Sequence, residues 1–170
     1  TGANTGIGQA TAMSLAEAGA DIAAVGRTAP TDTSEMVKAT GRGFISIPAD
    51  LSSIEPVSRV ISDTVAALGR VDILVNNAGI IRRADAVEFS EEDWDAVVDT
   101  NLKSVFFLSQ AFAKHCFAQK QTGKIVQIAS LLSFQGGIRV PSYAAAKSGL
   151  AGITKALANE WAAKLSLIHI

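Results

Sequence analysis

Tyr143 and Lys147 are the two side chains of this sequence whose types and spacing most clearly suggest chemistry. They stand four positions apart in the run YAAAK, and residues with that spacing share one face of a helix. A free tyrosine has a pKa of about 10 and is a poor base at neutral pH. A neighbouring lysine ammonium stabilises tyrosinate and lowers that pKa. The pair is therefore predicted to exchange a proton with a substrate oxygen.

Ser130 is the third candidate for this acid–base group. It closes an apolar run, Lys124–Ala129, that is predicted to be a strand upstream of Tyr143, and its hydroxyl could hold the same substrate oxygen. The spacing Y-x-x-x-K is common by chance and means little alone. However, Tyr143 is the only tyrosine of the chain, and both a serine-ended strand and a glycine-rich turn precede it. The joint pattern predicts a catalytic group.

The first eight residues, TGANTGIG, predict a turn that binds phosphate. Its glycines allow backbone N–H groups to approach a pyrophosphate closely, and the start of the following helix adds about half a positive charge. A tight turn without a ligand is the alternative. The helix and strand that come next favour a dinucleotide site. The residues predicted to contact the cofactor here are Thr1, Gly2, Asn4, Gly6, Ile7 and Gly8.

The choice between NAD and NADP depends on the end of the next strand, Ile22–Val25. A carboxylate there would bind the adenosine ribose and favour NAD, but the position holds Gly26. The next residue, Arg27, could accommodate the 2′-phosphate of NADP, stack on adenine or face solvent. Asp50 and Leu51 end the following strand, where the adenine ring would lie, although a helix-capping turn is equally natural. The predicted cofactor is NAD, with NADP possible.

Two further polar features follow the strand Ile73–Val75. The run NNAG at 76–79 is predicted to place Asn77, Ala78 and Gly79 against the cofactor, with a plain strand-end turn as the alternative. Asn101 lies among apolar residues of a long predicted helix. If it is buried it needs hydrogen-bond partners and could belong to a proton relay, whereas the simpler interpretation is an asparagine on the helix surface.

Short apolar runs alternate with longer helical periods along the chain. This alternation predicts an α/β fold with a doubly wound parallel sheet. The predicted strands are Ile22–Val25, Gly43–Ile47, Ile73–Val75 and Lys124–Ala129. The predicted helices are Gln9–Ala18, Glu55–Leu68, Glu91–Gln119 and Tyr143–Trp161. Thr28–Ser34 is predicted to be a turn or loop, Ser52 with Glu55 a capping box, and Ser90 with Asp93 a weaker capping signal.

Composition narrows the class of protein. The 170 residues suit one domain, with 48% hydrophobic and 18% charged residues and a net charge of −1. This balance predicts no nucleic-acid partner and no anionic membrane partner, and the apolar runs are shorter than the roughly 18 residues of a spanning helix. The lone Cys116 allows no intrachain disulfide, which favours a cytoplasmic location. No spacing of metal ligands is present, so no metal site is predicted.

The motifs TGANTGIG, NNAG, Asn101, Ser130 and YAAAK together resemble the short-chain dehydrogenase/reductase family, and the likeness runs from residue 1 to about Lys164. The resemblance implies a Rossmann-type fold and a nicotinamide cofactor. It implies that Tyr143 is the acid/base, that Lys147 binds the nicotinamide ribose and tunes Tyr143, and that Ser130 orients the substrate. It also implies that Asn101 holds a relay water through its backbone.

A narrower likeness concerns three segments: AGIIRRADAVEF at 78–89, FFLSQ at 106–110 and SFQGGIRVPSY at 133–143. They are similar to the 2-deoxy-D-gluconate 3-dehydrogenase subfamily, also described as 2-dehydro-3-deoxy-D-gluconate 5-dehydrogenase. This likeness implies a sugar-acid substrate, carbohydrate metabolism, NAD as the usual cofactor and a homotetramer. The alternatives are a 3-oxoacyl or steroid-type reductase, a non-catalytic nucleotide-binding protein, or an inactive fragment that only binds nucleotide.

A sugar acid carries a carboxylate, and arginine binds carboxylates through two parallel hydrogen bonds. Arg82, Arg83 and Arg139 are therefore substrate candidates, and at least one of them is predicted to bind the substrate, although for any one alone a surface role is the more natural interpretation. Gln135 could bind a sugar hydroxyl, with a plain loop residue as the alternative. An acyl or steroid pocket would be apolar at these positions, which separates the two enzyme hypotheses.

Both ends of the sequence look cut. A glycine-rich turn at residue 2 should follow a strand, and the family resembled here continues beyond Lys164 with further strands. Residues 1–164 are therefore predicted to be a partial dinucleotide-binding and catalytic domain, truncated at both ends. The run LSLIHI at 165–170 is predicted to be a non-native tail, with a genuine short strand as the alternative.

Overall fold

The computed structural model describes residues 1–163 and 167–169. Helices and strands alternate as the sequence predicted. The helices are α1 (Gly6–Glu17), α2 (Thr31–Ala39), α3 (Val57–Leu68), α4 (Glu91–Val98), α5 (Ser104–Gln119), α6 (Leu132–Gln135) and α7 (Pro141–Trp161), with a 3₁₀ turn at Ala86–Glu88 and a π-helical segment at Asp99–Lys103. The strands are β1 (Ile22–Gly26), β2 (Phe44–Pro48), β3 (Ile73–Asn76), β4 (Lys124–Gln127) and β5 (Leu167–His169).

The strands pair in parallel, which confirms the predicted α/β class. β1 pairs with β2, and Ile22 lies opposite Phe44. β3 pairs with β4, and β4 pairs with β5 on its other side. Parallel neighbours need crossover connections, and helices α2 and α5 supply them for the first and second pairs.

The first two residues lie between the two groups of strands. The amino group of Thr1 donates to the carbonyl oxygen of Val75 in β3 at 2.7 Å. The next amide, that of Gly2, donates to the carbonyl oxygen of Val25 in β1 at 2.8 Å. A cavity of about 470 Å³ separates β1 from β3 next to this bridge. The start of the glycine turn therefore links both groups of strands.

Side chains of β1 alternate between two hydrophobic clusters, as the pleat of a strand requires. Ile22 and Ala24 pack in a cluster with residues of α1 and α2, including the fully buried Val37. Val25 packs in the larger cluster with α3, α5 and β4, around Phe112 and Ile125 among others. A strand with apolar neighbours on both faces is typical of a sheet covered by helices on both sides.

The prediction of a loop over Thr28–Ser34 was wrong for its second half. Helix α2 begins at Thr31, directly after Pro30. Thr33 is fully buried, and its hydroxyl donates to the carbonyl oxygen of Ala3 at 2.7 Å. The helix is therefore stabilised by its contact with the glycine turn. A local reading of proline, threonine and serine content could not anticipate this long-range contact.

The predicted capping box of Ser52 and Glu55 was also wrong. The amide of Ser52 donates to the Asp50 carboxylate at 2.9 Å, and the amide of Glu55 donates to the Ser53 hydroxyl at 3.1 Å. Helix α3 starts only after Pro56. Two local side-chain turns therefore satisfy the amides that a capping box would have used.

The long predicted helix Glu91–Gln119 is divided into α4, a π-helical segment and α5. Periodicity did not reveal this, because buried positions continue through the segment at helical spacing, at Val97, Thr100, Asn101, Ser104 and Val105. At the other end of the fold, Leu167–His169 pairs with β4 as β5. Residues 164–166 and 170 lie outside the described residues, and the assignment of 165–170 as a non-native tail stays a prediction. Among the described residues, none of the helices is both long and apolar enough to span a membrane.

The Ser90 cap of α4 provides the first test. Its hydroxyl accepts a hydrogen bond from the Asp93 amide at 3.2 Å, as predicted. Ser90→Ala should lower the free energy of unfolding by about 1 kcal/mol, because the amide loses its partner. Ser62→Ala is the control: Ser62 lies exposed within α3, where alanine is the better helix former. Urea unfolding of both variants measures the difference, and equal losses would contradict the capping role.

Candidate active site

The glycine turn is packed so tightly that it admits no side chain at Gly8. A Cβ atom there would lie 2.1 Å from the carbonyl oxygen of Gly2 and 2.5 Å from Nδ2 of Asn77. Gly2 itself has a φ of +65°, in the left-handed region that favours glycine. The turn is also joined to the NNAG segment, since the Thr1 hydroxyl accepts from the amides of Asn77 and Ala78 at 3.1 and 2.9 Å. The two predicted cofactor motifs therefore form one structural unit.

A cleft of about 490 Å³ opens beside this unit. It is lined by most of the residues predicted to contact the cofactor: Gly2, Asn4, Ile7, Gly8, Arg27, Asp50, Leu51, Asn77, Ala78 and Gly79. Thr1 and Gly6 do not line it. Thr1 instead joins the turn to the NNAG segment through its hydroxyl. Sequence reasoning missed other lining residues, including Thr5, Thr28, Ser52, Ile80 and Thr100. The sequence could have indicated Thr28 as a lining residue, because it follows Arg27 directly at a strand end.

One end of the cleft carries Arg27 and Asp50. The pKa of the Asp50 carboxyl is lowered first by the hydrogen bond from the Ser52 amide, and the positive charge of Arg27 adds to the effect. Gly26 lines the same end, and a Cβ atom there would meet nothing within 4 Å. This end of the cleft therefore offers a cation and free space where a carboxylate would otherwise stand.

Ser130, Tyr143 and Lys147 belong to two elements that the fold brings together. Helix α7 starts at Pro141 and places Nζ of Lys147 5.7 Å from the centroid of the Tyr143 ring. Nζ also donates to the carbonyl oxygen of Ile128, just after β4, at 2.5 Å. Burial lowers the pKa of Lys147. The Ser130 hydroxyl accepts a hydrogen bond from the Leu132 amide at 3.2 Å. The structure thus brings the predicted catalytic residues together, although they do not line the 490 Å³ cleft.

Asn101 connects the π-helical segment to the NNAG side of the cleft. Its side chain is fully buried; Oδ1 accepts from the Ile80 amide at 2.8 Å, and Nδ2 donates to the Ile80 carbonyl oxygen at 2.7 Å. A Cβ atom at Gly79 would lie 3.0 Å from Oδ1. Asn101 is therefore not on the helix surface. π-Helical insertions occur frequently at functional sites, and a role of Asn101 in a proton relay stays a prediction.

The predicted substrate arginines make different contacts. Nε of Arg82 lies 3.0 Å from the Asp93 carboxylate, and Nε of Arg139 lies 2.9 Å from the Asp85 carboxylate. Both ion pairs are exposed and contribute little stability, so a carboxylate ligand could replace either aspartate. Arg83 is exposed, and so is Gln135 at the end of α6. Arg82 lines the cleft itself, whereas the other three do not.

A parallel α/β sheet, a glycine turn at a nucleotide-sized cleft and a Ser–Tyr–Lys group together define a dehydrogenase-like protein. The family model described as short chain dehydrogenase matches residues 1–169, and the chain belongs to this family.

Comparison with known proteins narrows the likeness. The chain is 58% identical over 162 residues to 2-dehydro-3-deoxy-D-gluconate 5-dehydrogenase of Escherichia coli K12, covering 95% of this chain and 64% of the relative. An NADP-bound crystal structure from Agrobacterium tumefaciens, assigned to 2-deoxy-D-gluconate 3-dehydrogenase, matches with a TM-score of 0.88 and 56% identity over 96% of this chain and 64% of that one. A structure from Beutenbergia cavernae, assigned to an NAD(P)-dependent gluconate 5-dehydrogenase with NADP bound at low occupancy, matches with a TM-score of 0.89 and 41% identity over 98% of this chain and 66% of that one.

The tight packing at Gly8 gives the second prediction. Gly8→Ala should lower the free energy of unfolding by about 1–3 kcal/mol or more, because the new methyl group overlaps the backbone of Gly2. Gly152→Ala is the matched control, since its Cβ atom in α7 meets nothing within 4 Å. The control should stabilise the chain by up to about 1 kcal/mol through helix propensity. Denaturant unfolding measures both, and similar values for the two variants would contradict the described turn.

Proposed function

We propose that this chain carries the cofactor-binding and catalytic part of an oxidoreductase that transfers a hydride between a nicotinamide nucleotide and a secondary hydroxyl, or the matching ketone, of a deoxy sugar acid. The observation that carries the proposal is the Ser130, Tyr143 and Lys147 group, assembled between the end of β4 and α7. The substrate class is supported by the 58% identity to an enzyme named for 2-dehydro-3-deoxy-D-gluconate. The chain spans 64% of the length of that relative.

The cleft has the features that a nicotinamide dinucleotide requires. The cradle at Gly8, which a single Cβ would fill, leaves backbone amides at the start of α1 for a pyrophosphate. Arg27, with no acid at Gly26, suits the 2′-phosphate of NADP, and the two NADP-bound relatives support this assignment. When bound, the nicotinamide would supply or accept the hydride. We therefore propose NAD(P) as the cofactor, with NADP accommodated beside NAD.

The proton follows from the residues of the chain itself. The Tyr143 hydroxyl would give a proton to the substrate oxygen during reduction and remove it during oxidation. The Lys147 ammonium, held against Ile128 and near the Tyr143 ring, would favour tyrosinate by its charge. The Ser130 hydroxyl oxygen already accepts a hydrogen bond from the Leu132 amide. The hydroxyl proton of Ser130 can therefore be donated to the substrate oxygen. Asn101 would hold a relay water through its backbone.

The sugar-acid carboxylate needs a cation. Arg82, Arg83 and Arg139 are the proposed partners, because Arg82 and Arg139 pair with exposed aspartates and Arg83 is itself exposed. Gln135 would bind a sugar hydroxyl.

The proposal also includes carbohydrate metabolism as the process, a homotetramer as the assembly and the cytoplasm as the location. The buried thiol of Cys116, which forms no disulfide, suits a reducing compartment.

Tyr143→Phe tests the proposed function most directly. The variant keeps the ring and removes the ionisable hydroxyl, so kcat should fall by at least about two orders of magnitude. Nucleotide affinity should change little. The assay offers a panel of deoxy sugar acids and simple gluconates with both NAD and NADP, and the unaltered protein should prefer the deoxy sugar acids. Activity of the variant within about threefold of the unaltered protein would rule out the role of Tyr143.

Gly26→Asp tests the nucleotide end of the cleft. The new carboxylate would accept hydrogen bonds from the ribose hydroxyls of NAD and would repel the 2′-phosphate of NADP. The ratio of the two dissociation constants should shift towards NAD by at least about tenfold, which corresponds to about 1.4 kcal/mol. Gly26→Ala fills the same space without charge and should leave the ratio nearly unchanged. An unchanged ratio in the aspartate variant would mean that this position does not face the ribose.

A further inference from the structure

The hydroxyl of Ser133 lies between the two elements that carry the catalytic group. Its Oγ accepts a hydrogen bond from the Ser130 amide at 3.3 Å and donates to the carbonyl oxygen of Lys147 at 2.8 Å. One hydroxyl group thus contacts the backbone of two of the three proposed catalytic residues. Sequence reasoning gave Ser133 no function, although the spacing S-x-x-S from Ser130 is visible in the sequence.

Further bonds tie the same turn to α7. The Ser133 amide donates to the carbonyl oxygen of Ser130 at 3.0 Å, which closes the turn around the catalytic serine. From the helix side, the Ser148 hydroxyl donates to the carbonyl oxygen of Ser133 at 3.1 Å. Lys147 and Ser148 are consecutive, so two neighbouring residues of α7 hold one residue of the turn. Within the described part of the chain, the Ser133 hydroxyl is the side-chain group that also reaches the Ser130 amide.

Lys147 is held through both its backbone and its side chain. Its ammonium donates to the carbonyl oxygen of Ile128, and its own carbonyl oxygen accepts from Ser133. Both contacts belong to the short segment 128–133 that contains Ser130. The position of the Lys147 ammonium relative to the Tyr143 ring, 5.7 Å from its centroid, therefore depends on how α7 is seated on this segment.

We propose that Ser133 is a positioning residue that sets the distance between the Ser130 turn and the helix face of Tyr143 and Lys147. This inference rests on the proposed function, because it explains how the parts of that site are kept in register. A misplacement of about 1 Å can cost up to about a hundredfold in rate. A single hydroxyl that bridges both elements can therefore control the rate without contacting the substrate.

The test compares three variants. Ser133→Ala removes both hydrogen bonds and should lower kcat by about tenfold to a hundredfold, with nucleotide affinity within about twofold of the unaltered protein. Ser133→Thr keeps the hydroxyl and should restore most of the rate. Thr154→Val is the matched control: its buried hydroxyl donates to Leu150 within α7 at 2.7 Å and does not reach the turn. This control should lower the melting temperature but leave kcat unchanged.

A second readout needs no turnover. Tyr143 is the only tyrosine of the chain, so NMR at constant pH of protein labelled in its tyrosine ring reports on this one site. Lys147 is the cation that the described structure records against its ring. If Ser133→Ala lets the ammonium move away, its electric field at the ring weakens and the ring signals change. Ser133→Thr and Thr154→Val should keep the ring signals of the unaltered protein.

The outcomes separate this inference from the proposed function. An unaltered protein without dehydrogenase activity would contradict the proposed function, and the ring signals of Tyr143 would still decide the role of Ser133. An active protein whose Ser133→Ala variant keeps both its kcat and its Tyr143 ring signals would overturn the positioning role. Equal loss of kcat in Ser133→Ala and Thr154→Val would do the same. If Ser133→Ala does not fold, Ser133→Cys, with its weaker donor, replaces it under the same expectations.

Discussion

The contact between the glycine turn and the NNAG segment is the constraint on which the rest of this structure depends. Gly8 has no room for a side chain because the carbonyl oxygen of Gly2 and the side-chain nitrogen Nδ2 of Asn77 lie against it. The same turn donates to β1 and β3 through Gly2 and Thr1. One close approach of backbones therefore connects two groups of strands and shapes one wall of the cleft.

Hydrogen bonds between polar side chains connect the ends of β3 and β4, and the residue after NNAG, to the helices around them. Asn76 donates to the Ser109 hydroxyl in α5, and Gln127 at the end of β4 donates to the same oxygen. Asn101 then fixes Ile80, on the other side of NNAG, to the π-helical segment. Buried polar groups need such partners, and here the partners come from strands and helices that carry site residues. The polar network thus holds the cleft and the ends of β3 and β4 in a common frame.

The catalytic side depends on a different kind of contact. Lys147 is buried, and its ammonium is partnered by a backbone carbonyl oxygen rather than by a carboxylate. Burial lowers its pKa. Among the described residues no carboxylate is paired with it, which leaves its charge available to a neighbouring oxyanion. Together with the bridge through Ser133, this arrangement means that helix α7 is positioned by hydrogen bonds to the 128–133 segment. The geometry of the proposed proton transfer is therefore inseparable from the packing of α6 on α7.

The sequence by itself determined the alternation of strands and helices, the glycine turn and the Y-x-x-x-K pair, because hydrophobic period, glycine spacing and helical spacing are local properties. Tertiary structure decided the rest. Helix α2 forms where its composition predicted a loop, since burial of Thr33 and Val37 outweighs weak local propensity. Asn101 and Ser133 acquire their partners only when distant segments meet, at Ile80 and at Lys147. Such partners depend on which elements pack together, and no spacing along the chain encodes that directly.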